Sequence, residues 1–222
     1  MRILGVADRF EASCVAPVHF KSVVTESSDN TSRRLATPAP LNCTVARLLH
    51  GLFLTTRYAS RQPDAKIAIQ SAHGEFIVVV ELNAGEEICI SFDHLLGFAA
   101  TISFRTLLDW SIPSWAIGRQ VVNIATGPGQ LYFRCAGRPM IWDNQNALSD
   151  TQRIQSGRLV LWPRNAEFRT EPLESLLDVW FGEIRVFMKC EGTTPFVVLD
   201  VEQKRGHDNP LWSLISRLYR FW

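Results

Sequence analysis

The sequence predicts a soluble, all-β protein with a short helix at its C-terminal end, and three observations carry that prediction. Short apolar runs alternate with turn residues at intervals of about 8–12 residues, the spacing of strands in a sandwich or barrel-like fold. One strand-and-turn pattern recurs three times between residues 66 and 199. Near residue 208 the apolar period changes from two to the helical value. The chain has 222 residues, 46% hydrophobic and 20% charged, which suits a globular, β-rich domain.

Taken in order, residues 1–42 read as a flexible or loosely packed N-terminal extension. The run Glu26-Ser27-Ser28-Asp29-Asn30-Thr31-Ser32-Arg33-Arg34 is polar, and Thr37-Pro38-Ala39-Pro40 reads as an extended linker. Flexibility is therefore expected over 25–40, with one strand or none in 1–24. Residues 43–205 are expected to form a repeat-built β domain. Lys66–Gln70 alternates with Ile67 and Ile69 on one face, and Phe76–Leu82 is a β-branched run stopped by Gly85-Glu86. Glu87–Phe92 alternates again through Ile88 and Ile90, and Leu95–Phe104 makes a further strand or strand pair.

The recurring pattern is apolar, any, apolar, long polar, small or Cys, any, Gly. It occurs as Ile67-Ala68-Ile69-Gln70-Ser71-Ala72-His73-Gly74 (one residue longer), Leu131-Tyr132-Phe133-Arg134-Cys135-Ala136-Gly137 and Val186-Phe187-Met188-Lys189-Cys190-Glu191-Gly192. Each is followed by another apolar strand: Phe76–Val80, Met140–Trp142 and Phe196–Leu199. The local reading is three repeated hairpins with Gly74, Gly137 and Gly192 at their turns, where a positive φ costs a glycine little. Flanking matches (Gly85–Ile90 with Gly157–Leu161, and Phe104-Arg105-Thr106 with Phe168-Arg169-Thr170) extend this to repeats at about 52–106 and 121–170. A truncated third covers about 179–203. Residues 206–222 close the chain as an amphipathic helix. Asp208 or Asn209 can cap it, Pro210 suits its first turn, and Leu211, Ile215, Leu218 and Trp222 share one face.

Four further stretches carry a family resemblance. They are Gly51-Leu52-Phe53-Leu54, Leu82-Asn83-Ala84-Gly85-Glu86-Glu87-Ile88, Asp93-His94-Leu95-Leu96-Gly97-Phe98, and Thr126-Gly127-Pro128-Gly129 leading into Leu131. In this order they resemble the altered-inheritance-of-mitochondria family, with Gly97 standing where the family pattern has alanine. The resemblance spans about 50–203. It implies a fold like that of the tryptophan RNA-binding attenuation protein, related to double-stranded β-helices, and it implies no enzyme activity and no agreed ligand. It implies a mitochondrial location in a eukaryote and a cytoplasmic one in a bacterium.

The residues themselves point to no catalytic, cofactor or metal site. The formal net charge is +1, so there is no strong nucleic-acid signal. The five cysteines include no CxxC and read as buried free thiols rather than zinc ligands. His73 and His94 read as turn residues without ligand partners. Glu86 and Glu87 are adjacent on a strand start, so they face opposite ways and share no site. No N-terminal secretory segment or membrane-spanning run is evident. The candidate interaction surface is instead a polar row at the repeat-equivalent positions Gln70, Arg134 and Lys189. Trp212, Arg217, Arg220 and Trp222 of the terminal helix join it. The expected class is a non-catalytic binding or scaffold protein, with self-association or an unknown protein partner, and with peripheral membrane contact through the helix as a further option. The alternative is a small-molecule or RNA binding module by fold analogy, and an enzyme ranks below both.

Overall fold

A computed structural model describes residues 1–13, 16–21, 25–27, 31–37, 52, 54–60, 62, 65–70, 75–109, 121–135, 137–142, 153–154, 159–170, 186–190 and 196–199. Within them the regular elements are all strands: β1 (Arg2–Ala7), β2 (Arg9–Ser13), β3 (Val18–Phe20), β4 (Thr25–Ser27), β5 (Ser32–Ala36), β6 (Thr55–Ala59), β7 (Lys66–Gln70), β8 (Phe76–Leu82), β9 (Glu87–Ile90), β10 (Leu95–Ala99), β11 (Ser103–Leu108), β12 (Val121–Thr126), β13 (Gly129–Cys135), β14 (Pro139–Trp142), β15 (Arg153–Ile154), β16 (Leu159–Pro163), β17 (Ala166–Thr170), β18 (Val186–Cys190) and β19 (Phe196–Leu199). The all-β class follows from the β-branched and aromatic runs that occupy these spans. The terminal segment 206–222, including its expected helix, lies outside the described residues.

The strands pair antiparallel into four sheets. The largest runs β1-β8-β13-β10-β3-β6-β5, the second β11-β12-β9-β16-β19-β14, and two three-stranded sheets run β2-β7-β4 and β15-β18-β17. Burial shows how the sheets stack. Val78, Val80, Leu131 and Phe133 of the seven-stranded sheet meet Ile88, Ile90, Phe104 and Val160 of the six-stranded sheet in one core. The opposite face of the seven-stranded sheet supplies Ile77, Val79, Phe20 and Tyr132, which meet Ala12, Ile67 and Ile69 of the β2-β7-β4 sheet in a second. A third, smaller cluster of Cys89, Ile124, Leu159 and Trp162 lies on the far face of the six-stranded sheet, with Ala166 against it. The seven-stranded sheet is therefore a middle layer. That is why β8 reads as a continuous apolar run rather than an alternation: both of its faces are covered. By contrast β7 alternates, with Ile67 and Ile69 inward and Lys66 and Gln70 exposed, as its sequence period indicates.

Two expectations are corrected. The first concerns residues 1–42, expected to be a flexible or loosely packed extension. The described part of that segment holds five strands. β1 pairs with β8, β2 and β4 flank β7, and β3 lies between β10 and β6. Ala12, Val18 and Phe20 are core residues. The polar run around β4 and β5 concealed this, because strands at or near a sheet edge need little apolar surface.

The second concerns the three hairpins. The strands are present, but none pairs with its sequence neighbour across the glycine turn. β7 lies between β2 and β4, while β8 lies between β1 and β13. β13 has β8 and β10 as neighbours, so both its edges are filled before β14 could join it. β18 pairs with β15 and β17, while β19 pairs with β14 and β16. The chain steps from one layer to another at each of these turns. Repeat-equivalent strands do meet, but from different repeats: β9 pairs with β16, and β14 with β19. Gly74 and Gly192 lie outside the described residues.

Two turns at one end of the stack take the form their sequences suggest. Gly85 has φ +79° in the turn between β8 and β9, where Glu86 also receives a hydrogen bond from the Asn83 backbone N–H at 2.7 Å. Gly127 packs against that same turn. A Cβ on it would lie 2.3 Å from the Asn83 carbonyl oxygen, so only glycine fits.

Candidate interaction surface

Among the described residues, one edge of the seven-stranded sheet is exposed to solvent. β5 is its last strand, and Ser32, Arg33, Arg34 and Leu35 are all exposed, Leu35 to 71%. Two side-chain hydrogen bonds fasten β5 to β6 near its ends. The Ser32 hydroxyl donates to the Ala59 carbonyl at 2.8 Å, and the Thr55 hydroxyl donates to the Ala36 carbonyl at 3.2 Å. The strand is thus held without an apolar face of its own.

The register places Arg34 directly opposite Arg57, and His19 next in the same row. His19 is buried, stacked on Phe98 at 5.4 Å between ring centroids, with Nδ1 3.0 Å from the Thr55 hydroxyl. The row therefore runs from a packed interior out to two solvent-exposed guanidiniums. Arg33 and Leu35 project on the other face, because adjacent strand residues alternate. Like charges placed directly opposite on a sheet destabilise it, and Arg34 and Arg57 are such a pair. Among the described residues, Arg33, Arg34 and Arg57 have no acidic partner, in contrast to Arg105, Arg134 and Arg164. Arg105 donates two hydrogen bonds to Glu87 at 2.8 and 2.7 Å, Arg164 joins the same carboxylate, and Arg134 lies 3.8 Å from Glu75.

A second polar cluster surrounds the turn from Ser91 to His94. The Lys21 ammonium donates to the Phe92 carbonyl at 2.9 Å, and its backbone N–H donates to the Leu96 carbonyl at 2.8 Å. Burial pulls the Lys21 amine down to about 8. Asp93 opposes this shift and Arg134 adds to it. His94 is buried in the turn, its Nδ1 3.3 Å from the Arg134 carbonyl, while the Arg134 N–H donates to the His94 carbonyl at 2.7 Å. Beside them burial, with a smaller contribution from Glu75, pushes the Cys135 thiol up to about 12. A thiol held that far above neutrality is a poor nucleophile. Cys89 and Cys135 are both buried thiols outside any disulfide, as the sequence indicates. These groups tie the turn to β3 and β13, which is a structural task.

The residues nominated from the sequence do not form one ridge. Gln70 ends β7 and is exposed, opposite Arg9. Arg134 is exposed on β13, and Lys189 lies on β18 opposite Glu167. The three belong to three different sheets, because the repeats that carry them are distributed among layers. Trp212, Arg217, Arg220 and Trp222 lie outside the described residues, as does His73. Glu86 and Glu87 serve separate partners, as expected: Glu86 takes the N-terminal amine of Met1, and Glu87 takes Arg105 and Arg164. The β5 edge was missed because its sequence has no apolar period. The one available signal was the Arg33-Arg34 pair followed by Leu35.

Stacked antiparallel sheets, with a cationic strand outermost among the described residues, define the class: an all-β protein. The model of the mitochondrial biogenesis AIM24 family matches residues 36–199, and the chain belongs to that family. Its fold is similar to the X-ray structure of a Streptococcus pyogenes protein solved as a structural genomics target. That similarity has a TM-score of 0.55 and 14% identity, and covers 96% of this chain and 93% of that one. No curated protein matches the sequence.

Proposed function

We propose that this chain is a non-catalytic binding or scaffold protein that makes its contacts through an open sheet edge. The observation that supports this reading is β5, an outermost strand with four consecutive exposed residues. Its outer side carries no strand among the described residues. Such an edge presents backbone N–H and C=O groups to any extended segment of suitable sequence. Proteins usually blunt such edges with charge, and the arginines here do that toward neutral partners while favouring acidic ones. By the family's name the setting is mitochondrial in a eukaryote, and in a bacterium it is cytoplasmic.

A photo-crosslinking residue placed at Leu35 is expected to give a discrete higher-mass adduct in cells. The same residue at Gln62, which is exposed but off the edge, should give none. No adduct from position 35, or equal adducts from both positions, would reject the edge as the working surface. Binding of RNA or a small anion is the second reading, supported by the same arginines. It calls for an affinity that falls steeply with salt, because phosphate contacts release counterions.

A further inference from the structure

We propose that β5 accepts an extended acidic peptide as an added strand, whose core is two adjacent carboxylate residues next to an aliphatic one. This rests on the reading of the edge as a contact surface and names its partner. The pattern follows from the pleat. A strand laid beside β5 places successive side chains on alternate faces, opposite Arg33, Arg34 and Leu35 in turn. Arg33 and Arg34 therefore each call for a carboxylate, on opposite faces of the edge, and Leu35 calls for an aliphatic side chain on the Arg33 face. Arg57, one strand further in and in register with Arg34, strengthens the positive field on the Arg34 face without needing to touch the ligand.

Charge complementarity selects this occupant. Arg33, Arg34 and Arg57 have no acidic partner among the described residues, although the chain as a whole carries a formal charge of only +1. An incoming strand with paired carboxylates would relieve the repulsion between Arg34 and Arg57 while filling the edge's hydrogen bonds. A nucleic-acid backbone fits less well. Its phosphates would lie along one face, whereas the guanidiniums here are divided between two, and it would leave the edge amides unpaired.

The test uses the full chain and a fluorescein-labelled peptide of repeating Glu-Glu-Val triplets, read by fluorescence anisotropy and by amide hydrogen exchange. The acidic peptide is expected to bind and to slow exchange across residues 32–36. A Gln-Gln-Val peptide should bind at least about tenfold more weakly, since charge-assisted hydrogen bonds are the stronger kind. Arg33→Glu with Arg34→Glu should abolish binding. Arg33→Gln with Arg34→Gln, milder for the fold, should weaken it by about tenfold or more, and added salt should weaken the unmodified protein's binding. The proposal is overturned if the acidic peptide does not bind, or if neither arginine pair matters. It is also overturned if a labelled oligouridine competes fully while residues 32–36 gain no protection, which would mark a nucleic-acid surface. An adduct from position 35 without peptide binding would remove this inference and leave the contact surface standing.

Discussion

Gly97→Ala is expected to destabilise the protein by about 3 kcal/mol, the upper part of the usual range for adding atoms to a filled core. Gly97 sits in β10 between Phe20 of β3 and Tyr132 of β13. The Phe20 ring lies over the glycine and reaches Tyr132, 5.0 Å away between centroids. A Cβ at position 97 would be 2.1 Å from Phe20 Cδ1 and 2.7 Å from the His19 carbonyl oxygen. Phe20 is fully buried and has nowhere to move. Glycine is required here because an aromatic ring already fills the space a side chain would need. Chemical denaturation should show the loss as a lower midpoint. Phe20→Leu combined with Gly97→Ala should recover part of it, so the two changes should be non-additive by about 1 kcal/mol or more. Recovery should be partial, because the His19 carbonyl remains. A cost below about 1 kcal/mol for Gly97→Ala would mean that the ring does not close over the glycine.

The second large effect is a rise in stability with alkaline pH that depends on Lys21. The amine has an ordinary value of 10.5 and is pulled down to about 8 in the folded protein, chiefly by burial. Between those values the unfolded chain still holds the proton and the folded chain has released it. Stability therefore increases as pH rises from about 8 to 10.5, by an amount on the order of 3 kcal/mol at most. Below about 8 both states carry the charge, and the cost of burying it is constant. Asp93 offsets part of that cost and Arg134 adds to it. The useful measurement is the difference between unmodified protein and Lys21→Met, because other groups titrate in the same window. The difference should change by that amount across the window, with the unmodified protein gaining. Parallel stability curves would show that Lys21 is not held in the environment described.

The strand content was legible because local composition specifies it. Phe76–Leu82, Glu87–Ile90 and Phe196–Leu199 are strands where β-branched and apolar residues cluster. The turn at Gly85 was legible too, since only a residue at ease with positive φ suits it. The β5 edge was not. Ser32–Ala36 has solvent on both faces, and a strand so placed leaves no apolar alternation to read. The Lys21 cluster was equally hidden, because Lys21, Glu75, His94 and Arg134 converge only after β3, β8, β10 and β13 have aligned.

By itself the sequence determined that the chain is all-β, where most of its central strands run, and which family pattern it carries. The tertiary structure alone decided which strands pair. A period of two says which face of a strand is apolar, but not which strand lies beside it. Both faces of β8 and β13 are apolar, so each can sit anywhere inside a middle layer, and its neighbours come from whatever else fills that layer. Packing placed β8 beside β1 and β13, sent β7 to another sheet, and left β5 outermost among the described strands. The same packing made Gly97 indispensable, through a phenylalanine that lies 77 positions earlier in the chain.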